Sequence, residues 1–170
     1  TIRGDIRETL LALHGQRERN EIPRFKRLVV ESTGLADPAP VIHTLLSDPL
    51  LDSRYMLGGV ITTVDAINGA ATLDAHIECE KQAAVADRLV ITKTDLATDL
   101  ISKKELEKLQ RKLMELNPGA VVLCRHDSNF DHHRLFDTSL YNPETKTINV
   151  RKWLGSEAEK LDHDYHHNGH

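Results

Sequence analysis

Short apolar runs alternate with amphipathic stretches along the first 125 residues of the chain. Each run is rich in β-branched residues and is apolar at consecutive positions, which is typical of strands covered on both faces. Beyond residue 125 the sequence becomes polar and the alternation ends. The apolar runs predict four strands, over residues 26–32, 58–66, 87–95 and 120–125.

Segments with helical spacing separate these runs and predict helices over residues 3–13, 38–51, 73–86 and 101–119. Asp5 and Ser102 each stand three positions before a glutamate, a spacing that predicts a capping box at the start of a helix. Strands that alternate with helices predict an α/β fold, in which helices flank a mostly parallel sheet. The buried face of the last helix is predicted to consist of Leu106, Leu109, Leu113 and Leu116.

Composition narrows the class of protein. The chain has 170 residues, of which 39% are hydrophobic. Its net charge is -4 and it has no basic stripe, whereas nucleic-acid-binding domains typically carry a basic patch. Its apolar runs are shorter than the roughly 18–20 residues that span a bilayer, and we expect no signal peptide. Cys79 and Cys124 do not suggest a disulfide framework. We therefore expect a soluble cytoplasmic protein with neither a nucleic-acid nor a membrane partner.

A carboxylate and a glycine follow the first predicted strand. In open α/β sheets, ligands bind beyond the carboxyl ends of the strands, and phosphate-binding enzymes place an acidic group there to hold the Mg²⁺ shell. Glu31 occupies that place, and Gly34 would let the backbone approach a terminal phosphate. The alternative is a capped loop in which Ser32 and Thr33 bond to nearby backbone.

A second motif, Val-Ile-Thr-Lys-Thr-Asp, ends the third predicted strand. Asp95 can accept two hydrogen bonds from the N1–H and N2–H₂ edge of guanine, which adenine cannot supply. The stem of Lys93 can lie across the purine face. The alternative is an ordinary lysine and aspartate at the start of a loop. Both motifs follow strands of one sheet, so Glu31 and Asp95 are predicted to face a common nucleotide cleft.

The combination of these stretches resembles a known family. "VVESTGLADPAPV", "GVITTVDA" and "KQAAVADRLVITKTDL", with a histidine-rich end, are similar to the CobW family over roughly residues 1–140. Its members are P-loop GTPases with a metal-handling role, related to the GTPases that insert nickel into hydrogenase and urease. The resemblance implies a P-loop NTPase-like, Rossmann-like fold that binds GTP with Mg²⁺.

Site residues carried over by this resemblance are the same ones that the two motifs indicate. Glu31 would be the acidic residue of the Walker B segment, acting on Mg²⁺, and Gly34 would belong to the phosphate-sensing switch. Lys93 and Asp95 would form the guanine-specificity motif, together with Thr92, which stands where the family usually has asparagine.

One motif of the family does not occur in these residues. No Gly-x-x-x-x-Gly-Lys-Ser/Thr stretch is present, so the resemblance implies the middle of a longer protein, lacking the first strand and the P-loop. We expect a partial GTPase domain over 1–155 and a His/Asp-rich flexible tail or linker over 156–170. Such a fragment is expected to bind GTP weakly, and an uncovered sheet edge would favour a homo-oligomer.

Histidines are concentrated at the end of the chain, among Asp162 and Asp164. Imidazoles with nearby carboxylates suit Zn²⁺, Co²⁺ or Ni²⁺; the alternative is a solvated linker without a ligand role. An earlier histidine cluster, which includes His126 near Cys124, is interpreted as a polar surface loop. The predicted metal ligands in the tail are His163, His166, His167 and His170.

Two functions compete on this evidence. The favoured one is a GTP-hydrolysing metallochaperone segment, which couples hydrolysis to delivery of a divalent metal, cobalt for cobalamin synthesis or zinc, to a client protein. The alternative is a non-catalytic metal-buffering module, in which the α/β body only carries the tail. An adenine-nucleotide enzyme is disfavoured by Lys93 and Asp95.

Overall fold

The chain consists of two units of packed structure. The computed structural model describes residues 2–137 and 140–156. Unit 1 contains the described residues up to Leu57 together with 154–156, and unit 2 is Gly58–Trp153. No helix among these described residues is long and apolar enough to cross a bilayer.

Within the described residues, unit 1 contains the helices α1 (Ile2–Glu18), α2 (Ala39–Ser47) and α3 (Pro49–Asp52), and residues 154–156 are also helical. Helix α1 begins before Asp5, so this residue lies inside the first turn and the capping box predicted there is wrong. Asp48 separates α2 from α3 and is the N-cap of α3, where its Oδ1 accepts the N–H groups of Leu50 at 2.9 Å and Leu51 at 3.1 Å. Arg7 on α1 pairs with Asp48 at 2.5 Å and ties these helices together.

The first predicted strand is not a strand in the structure. Residues 27–33 have no regular secondary structure, and the side chains of Val29 and Val30 are exposed. A strand is stable only where its N–H and C=O groups pair with a neighbour, and the three described strands pair with one another. Leu28, Val29 and Val30 instead line a groove of about 320 Å³ beside α1.

Unit 2 is built on a parallel sheet of three strands, which confirms the predicted α/β class. The strands are β1 (Ile61–Asp65), β2 (Arg88–Thr92) and β3 (Val121–Cys124), in the order β1-β2-β3. Asp65 lies opposite Thr92, and Ile91 lies opposite Cys124. The carboxyl ends of all three strands therefore meet at one edge of the sheet.

Helices connect and cover the strands of unit 2. They are α4 (Gly69–Ala75), α5 (Ile77–Val85), α6 (Leu100–Leu116) and α7 (His133–Phe136), with 3₁₀ turns at Thr94–Leu96 and Pro143–Thr145 and further helical residues at 148–153. The predicted apolar face of α6 is confirmed: Leu109 and Leu113 are buried in the core with Leu89 and Ile91, and Leu106 and Leu116 pack against it.

Asp99 begins helix α6, rather than the predicted Ser102. Its Oδ1 accepts hydrogen bonds from the N–H groups of Ile101 at 2.8 Å and Ser102 at 2.9 Å. The Ser102 hydroxyl donates to Asp99 Oδ2 at 2.6 Å. A carboxylate at the N-cap also interacts favourably with the positive end of the helix dipole, so the helix starts one turn earlier than the Ser-x-x-Glu pattern indicates.

Candidate functional site

Polar side chains gather where the three parallel strands end. Asp65 is the last residue of β1 and Thr92 is the last residue of β2. Lys93 and Asp95 follow Thr92, and His126 follows two positions after β3. Because ligands of open α/β sheets bind beyond this edge, these residues define the candidate site of unit 2.

Asp65 forms the most extensive set of contacts at this edge. Its Oδ1 accepts the N–H groups of Ile67 at 2.7 Å and Asn68 at 3.1 Å, which closes the turn between β1 and α4. Its Oδ2 lies 2.6 Å from Lys93 Nζ. The hydrogen bond from Lys93 holds the pKa of the Asp65 carboxyl below its usual value, with the two backbone N–H groups acting in the same direction against partial burial. Asp65 is thus a fixed anion at the strand ends.

Hydrogen bonds also tie the end of β2 to the end of β1. The Thr92 hydroxyl donates to the Val64 carbonyl at 3.3 Å, and the Ala66 N–H donates to the Thr92 carbonyl at 3.0 Å. Lys93 then has φ of 58°, in the left-handed region, which costs a non-glycine residue about 1–2 kcal/mol. A strained backbone of this kind persists only where its surroundings determine it.

The side chain of Asp95 lies in the 3₁₀ turn Thr94–Leu96 and remains accessible. His126 Nδ1 lies 3.1 Å from Asp95 Oδ1 and 3.3 Å from Thr94 Oγ1. About half of the Asp95 side chain, 54%, is exposed. The carboxylate predicted to read a purine base is therefore reachable from solvent, and a histidine from the loop after β3 borders it.

The two cysteines of the chain do not form part of a metal cluster in the structure. Cys124 ends β3, where the Gln110 side-chain amide lies 3.3 Å from its Sγ. Burial raises the pKa of both the Cys124 and the Cys79 thiol, which disfavours the thiolate form that binds metals. Over residues 2–137 and 140–156, no three His, Cys, Asp or Glu side chains come together as a metal site.

Glu31 and Gly34 belong to unit 1, in the irregular segment before α2. Both residues are exposed. The Ala36 N–H donates to the Thr33 carbonyl at 3.1 Å, so Gly34 lies within a turn, and Asp37 Oδ1 accepts the Ala39 N–H at 2.9 Å. The cleft shared by Glu31 and Asp95 stays a prediction, as do the roles of these residues.

Comparison with known proteins gives the family. Residues 1–123 match the CobW/HypB/UreG nucleotide-binding domain. The chain belongs to this CobW/HypB/UreG family. The resemblance drawn from the three sequence stretches is thereby confirmed, together with the P-loop NTPase class of the fold.

Relatives of this CobW-family chain include named metal-handling proteins. It is 34% identical to the zinc chaperone YjiA of Escherichia coli over 156 residues, which are 92% of this chain and 47% of the relative. It is 32% identical to zinc-regulated GTPase metalloprotein activator 1 of Schizosaccharomyces pombe, over 59% of this chain and 24% of the relative. The chain thus spans about half of the first relative and about a quarter of the second.

The fold is similar to a solved structure of the same family. The crystal structure of Zn(II)-bound YjiA GTPase from E. coli matches with a TM-score of 0.68 and 32% identity, over 84% of this chain and 46% of that one. This similarity confirms the predicted arrangement of a parallel sheet flanked by helices as a P-loop NTPase fold.

Sequence reasoning found some of the residues at the strand ends and missed others. Thr92, Lys93 and Asp95 were indicated by the motif at the end of β2, and the structure brings them to one edge with Asp65 and His126. Asp65 carried a usable signal, because it is a carboxylate at the end of an apolar strand, as Glu31 was expected to be. The predicted metal ligands His163, His166, His167 and His170 lie outside the described residues.

Proposed function

We propose that this chain is the guanine-nucleotide-binding part of a GTP-hydrolysing protein that handles zinc. The observation that carries the proposal is the position of Thr92, Lys93 and Asp95 at the carboxyl end of β2, the central strand of the sheet. This is where α/β folds bind nucleotides, and the family match places a nucleotide-binding domain over residues 1–123.

Asp95 selects guanine in this proposal. Its exposed carboxylate accepts the N1–H and N2–H₂ groups of the base in a bidentate, charge-assisted pair. Adenine offers no matching pair of donors, so it would leave the carboxylate desolvated and unpaired, which is strongly unfavourable. Lys93 supplies an aliphatic stem for the purine face, and His126 lies close enough to Asp95 to compete with the base or to border it.

Glu31 and Gly34 act on the phosphate side of the nucleotide in this proposal. An exposed carboxylate has the oxygen-donor chemistry that Mg²⁺ prefers. A Cβ added to Gly34 would meet no atom within 4 Å, so packing does not explain the glycine. A residue without a side chain does suit close approach of backbone to a phosphate.

Zinc is the cargo that the relatives support. One relative is described as a zinc chaperone and another as a zinc-regulated GTPase metalloprotein activator. We accordingly propose zinc, rather than cobalt for cobalamin synthesis or nickel, as the metal that GTP hydrolysis helps to deliver to a client protein. The four histidines of the tail are proposed to collect it, because imidazole is a common zinc ligand.

Replacement of Glu31 separates this function from a metal-buffering module. In the intact protein, Glu31→Ala should abolish GTP turnover while zinc binding, measured by competition with a chromophoric chelator, stays unchanged. Glu107→Ala, an exposed glutamate on α6, is the matched control and should leave turnover intact. Delivery of zinc to an acceptor chelator that continues at the same rate in Glu31→Ala would favour buffering without hydrolysis.

A competition experiment tests the choice of metal. The intact protein is equilibrated with equal concentrations of Zn²⁺ and Co²⁺, and the bound metal is measured by mass spectrometry with and without GTP. We expect zinc to predominate and its occupancy to change with the nucleotide. Preferential retention of cobalt, or an occupancy independent of GTP, would contradict the proposal.

A further inference from the structure

We propose that Asp65 is a positioning residue for nucleotide binding, which holds the side chain of Lys93 across the strand ends. This inference rests on the guanine-nucleotide function proposed above. It assigns a role to a residue outside the Thr92–Asp95 motif, on the neighbouring strand β1 and 28 positions away from Lys93 in sequence.

The carboxylate of Asp65 is itself held in place by the backbone. Its Oδ1 accepts two N–H groups, from Ile67 at 2.7 Å and Asn68 at 3.1 Å, at the turn that leads into α4. Two bonds to one oxygen restrict both side-chain torsions of the aspartate. The second oxygen is thereby directed to Lys93 Nζ, at 2.6 Å. The carboxylate is an anchor rather than a mobile surface charge.

Lys93 is held from its backbone end as well. Thr92, just before it, lies opposite Asp65 in the β1–β2 register; its hydroxyl donates to Val64 of β1 and its carbonyl accepts the N–H of Ala66, the residue after β1. Lys93 then adopts the left-handed conformation with φ of 58°. With the backbone fixed at one end and the ammonium fixed at the other, the four-carbon stem spans the ends of β1 and β2.

The stem of Lys93 is therefore preorganised for a planar ligand. A mobile lysine side chain on a protein surface loses rotamer freedom when it orders against a base, and this loss weakens binding by roughly 3–10-fold per side chain. Asp65 removes that loss in advance. It also neutralises the ammonium, so Lys93 contributes apolar surface to the site while Asp95, two residues on, keeps its charge for the base.

A double-mutant cycle in the intact protein tests the inference, with GDP and Mg²⁺ as the probe and calorimetry as the measurement. Asp65→Asn keeps an oxygen for the Ile67 and Asn68 N–H groups but loses the charge that holds Lys93. We expect it to weaken GDP binding by about 3–10-fold. In a Lys93→Met background the same change should alter GDP affinity by less than about 1.5-fold, because Asp65 acts through Lys93.

Asp74→Asn is the matched control, since Asp74 on α4 also pairs with a lysine, Lys112 on α6, away from the strand ends. It should leave GDP affinity unchanged. An equal loss from Asp65→Asn in both backgrounds, or no loss in either, would overturn this inference alone. Absence of GDP binding by the unaltered intact protein would overturn the proposed function and this inference together.

Discussion

Lys146 lies 2.6 Å from Asp87 Oδ1, with 3% of the lysine side chain exposed to solvent. Its ammonium also donates to the Ala86 carbonyl at 3.1 Å and lies 5.1 Å from the centre of the Tyr141 ring. The other oxygen of Asp87 accepts the Val60 N–H at 2.8 Å. One buried cation therefore joins the segment after β3 to the residue that precedes β2.

Removal of this cation should destabilise the chain. Lys146→Met keeps the apolar stem but leaves Asp87 partly buried without its counter-charge, and loss of one partner of a buried pair costs several kcal/mol. Because Asp87 retains the Val60 N–H and some solvent contact, we expect a loss of about 2–3 kcal/mol in the free energy of unfolding. Urea unfolding measures it. Lys108→Met, which breaks an exposed pair with Glu105, should change stability by less than about 1 kcal/mol.

Asn117 provides a second internal connection, at the end of α6. Its Nδ2 donates to the Ala83 and Ala86 carbonyls, both at 2.9 Å, and the residue is 2% exposed. Asn117→Ala would remove this donor from both carbonyls, but the Ala86 carbonyl keeps the Lys146 ammonium, so only the Ala83 carbonyl loses its side-chain donor, at about 1–3 kcal/mol for an unsatisfied group. We expect a loss of about 1–3 kcal/mol by urea unfolding. Asn68→Ala, at an exposed helix start where the side chain makes no cap bond, should be nearly neutral.

Gly69 allows α4 to pack against the sheet. A Cβ at this position would lie 2.6 Å from Val64 Cγ1 and 3.4 Å from Leu109 Cδ2, both on buried residues. Gly69→Ala should therefore force a shift in the core and cost about 1–3 kcal/mol, despite the better helix propensity of alanine. A thermal scan measures the effect. Gly58→Ala, where an added Cβ meets nothing within 4 Å, is the control, and equal losses in both variants would contradict the packing argument.

The lowered pKa of the Asp65 carboxyl predicts how the stability of the chain depends on pH. Its pKa is lower in the folded chain than in the unfolded chain, chiefly through Lys93, so its stabilising contribution is present above the unfolded value of about 3.9. That contribution is lost as the pH falls through the lower, folded pKa. Since 57% of the Lys93 side chain is exposed, the contribution should stay below about 1 kcal/mol.

Unfolding of the unaltered chain and of Asp65→Asn, compared from pH 7 down to pH 2, measures this effect. The stability difference between the two should be constant near neutral pH and should vanish in acid. A difference that grows as the pH falls would contradict the sign of the argument.

The sequence predicted best those elements whose burial is strong and local. The face of α6 was readable because Leu109 and Leu113 repeat at helical spacing, and β2 was readable because it is apolar on both faces. The sequence does not determine the start of α6, because Asp99 and Ser102 both suit an N-cap and only the backbone geometry decides between them. Local patterns rank such alternatives poorly when several candidate caps stand within one turn.

The predicted strand over residues 26–32 failed for a different reason. Val29 and Val30 have high β-propensity, but propensity describes a fit to a pleated, half-buried surface. In the described part of the chain the sheet consists of β1, β2 and β3, and Val29 is 72% exposed. A non-local pairing partner decides whether such a segment becomes a strand, and a local pattern does not contain it.

The candidate site shows the same division between local and non-local information. Lys93 and Asp95 stand in one short motif, so the sequence indicated them. The contacts of Asp65 with Lys93 and of His126 with Asp95 join residues about 30 positions apart, and they arise from the parallel register of the strands. A register of this kind follows from the sheet order rather than from any one segment.

Affinity for guanine and xanthine nucleotides in the intact protein tests the central claim most directly. The Asp95 carboxylate accepts both the N1–H and the N2–H₂ of guanine. In the Asp95→Asn variant, the side-chain oxygen accepts the N1–H of xanthine and the side-chain nitrogen donates to its C2 carbonyl. Asp95→Asn should therefore weaken GDP binding by about 100-fold and reverse the preference toward XDP. Equal GDP affinity in the two proteins, with XDP still excluded, would show that Asp95 does not read the base.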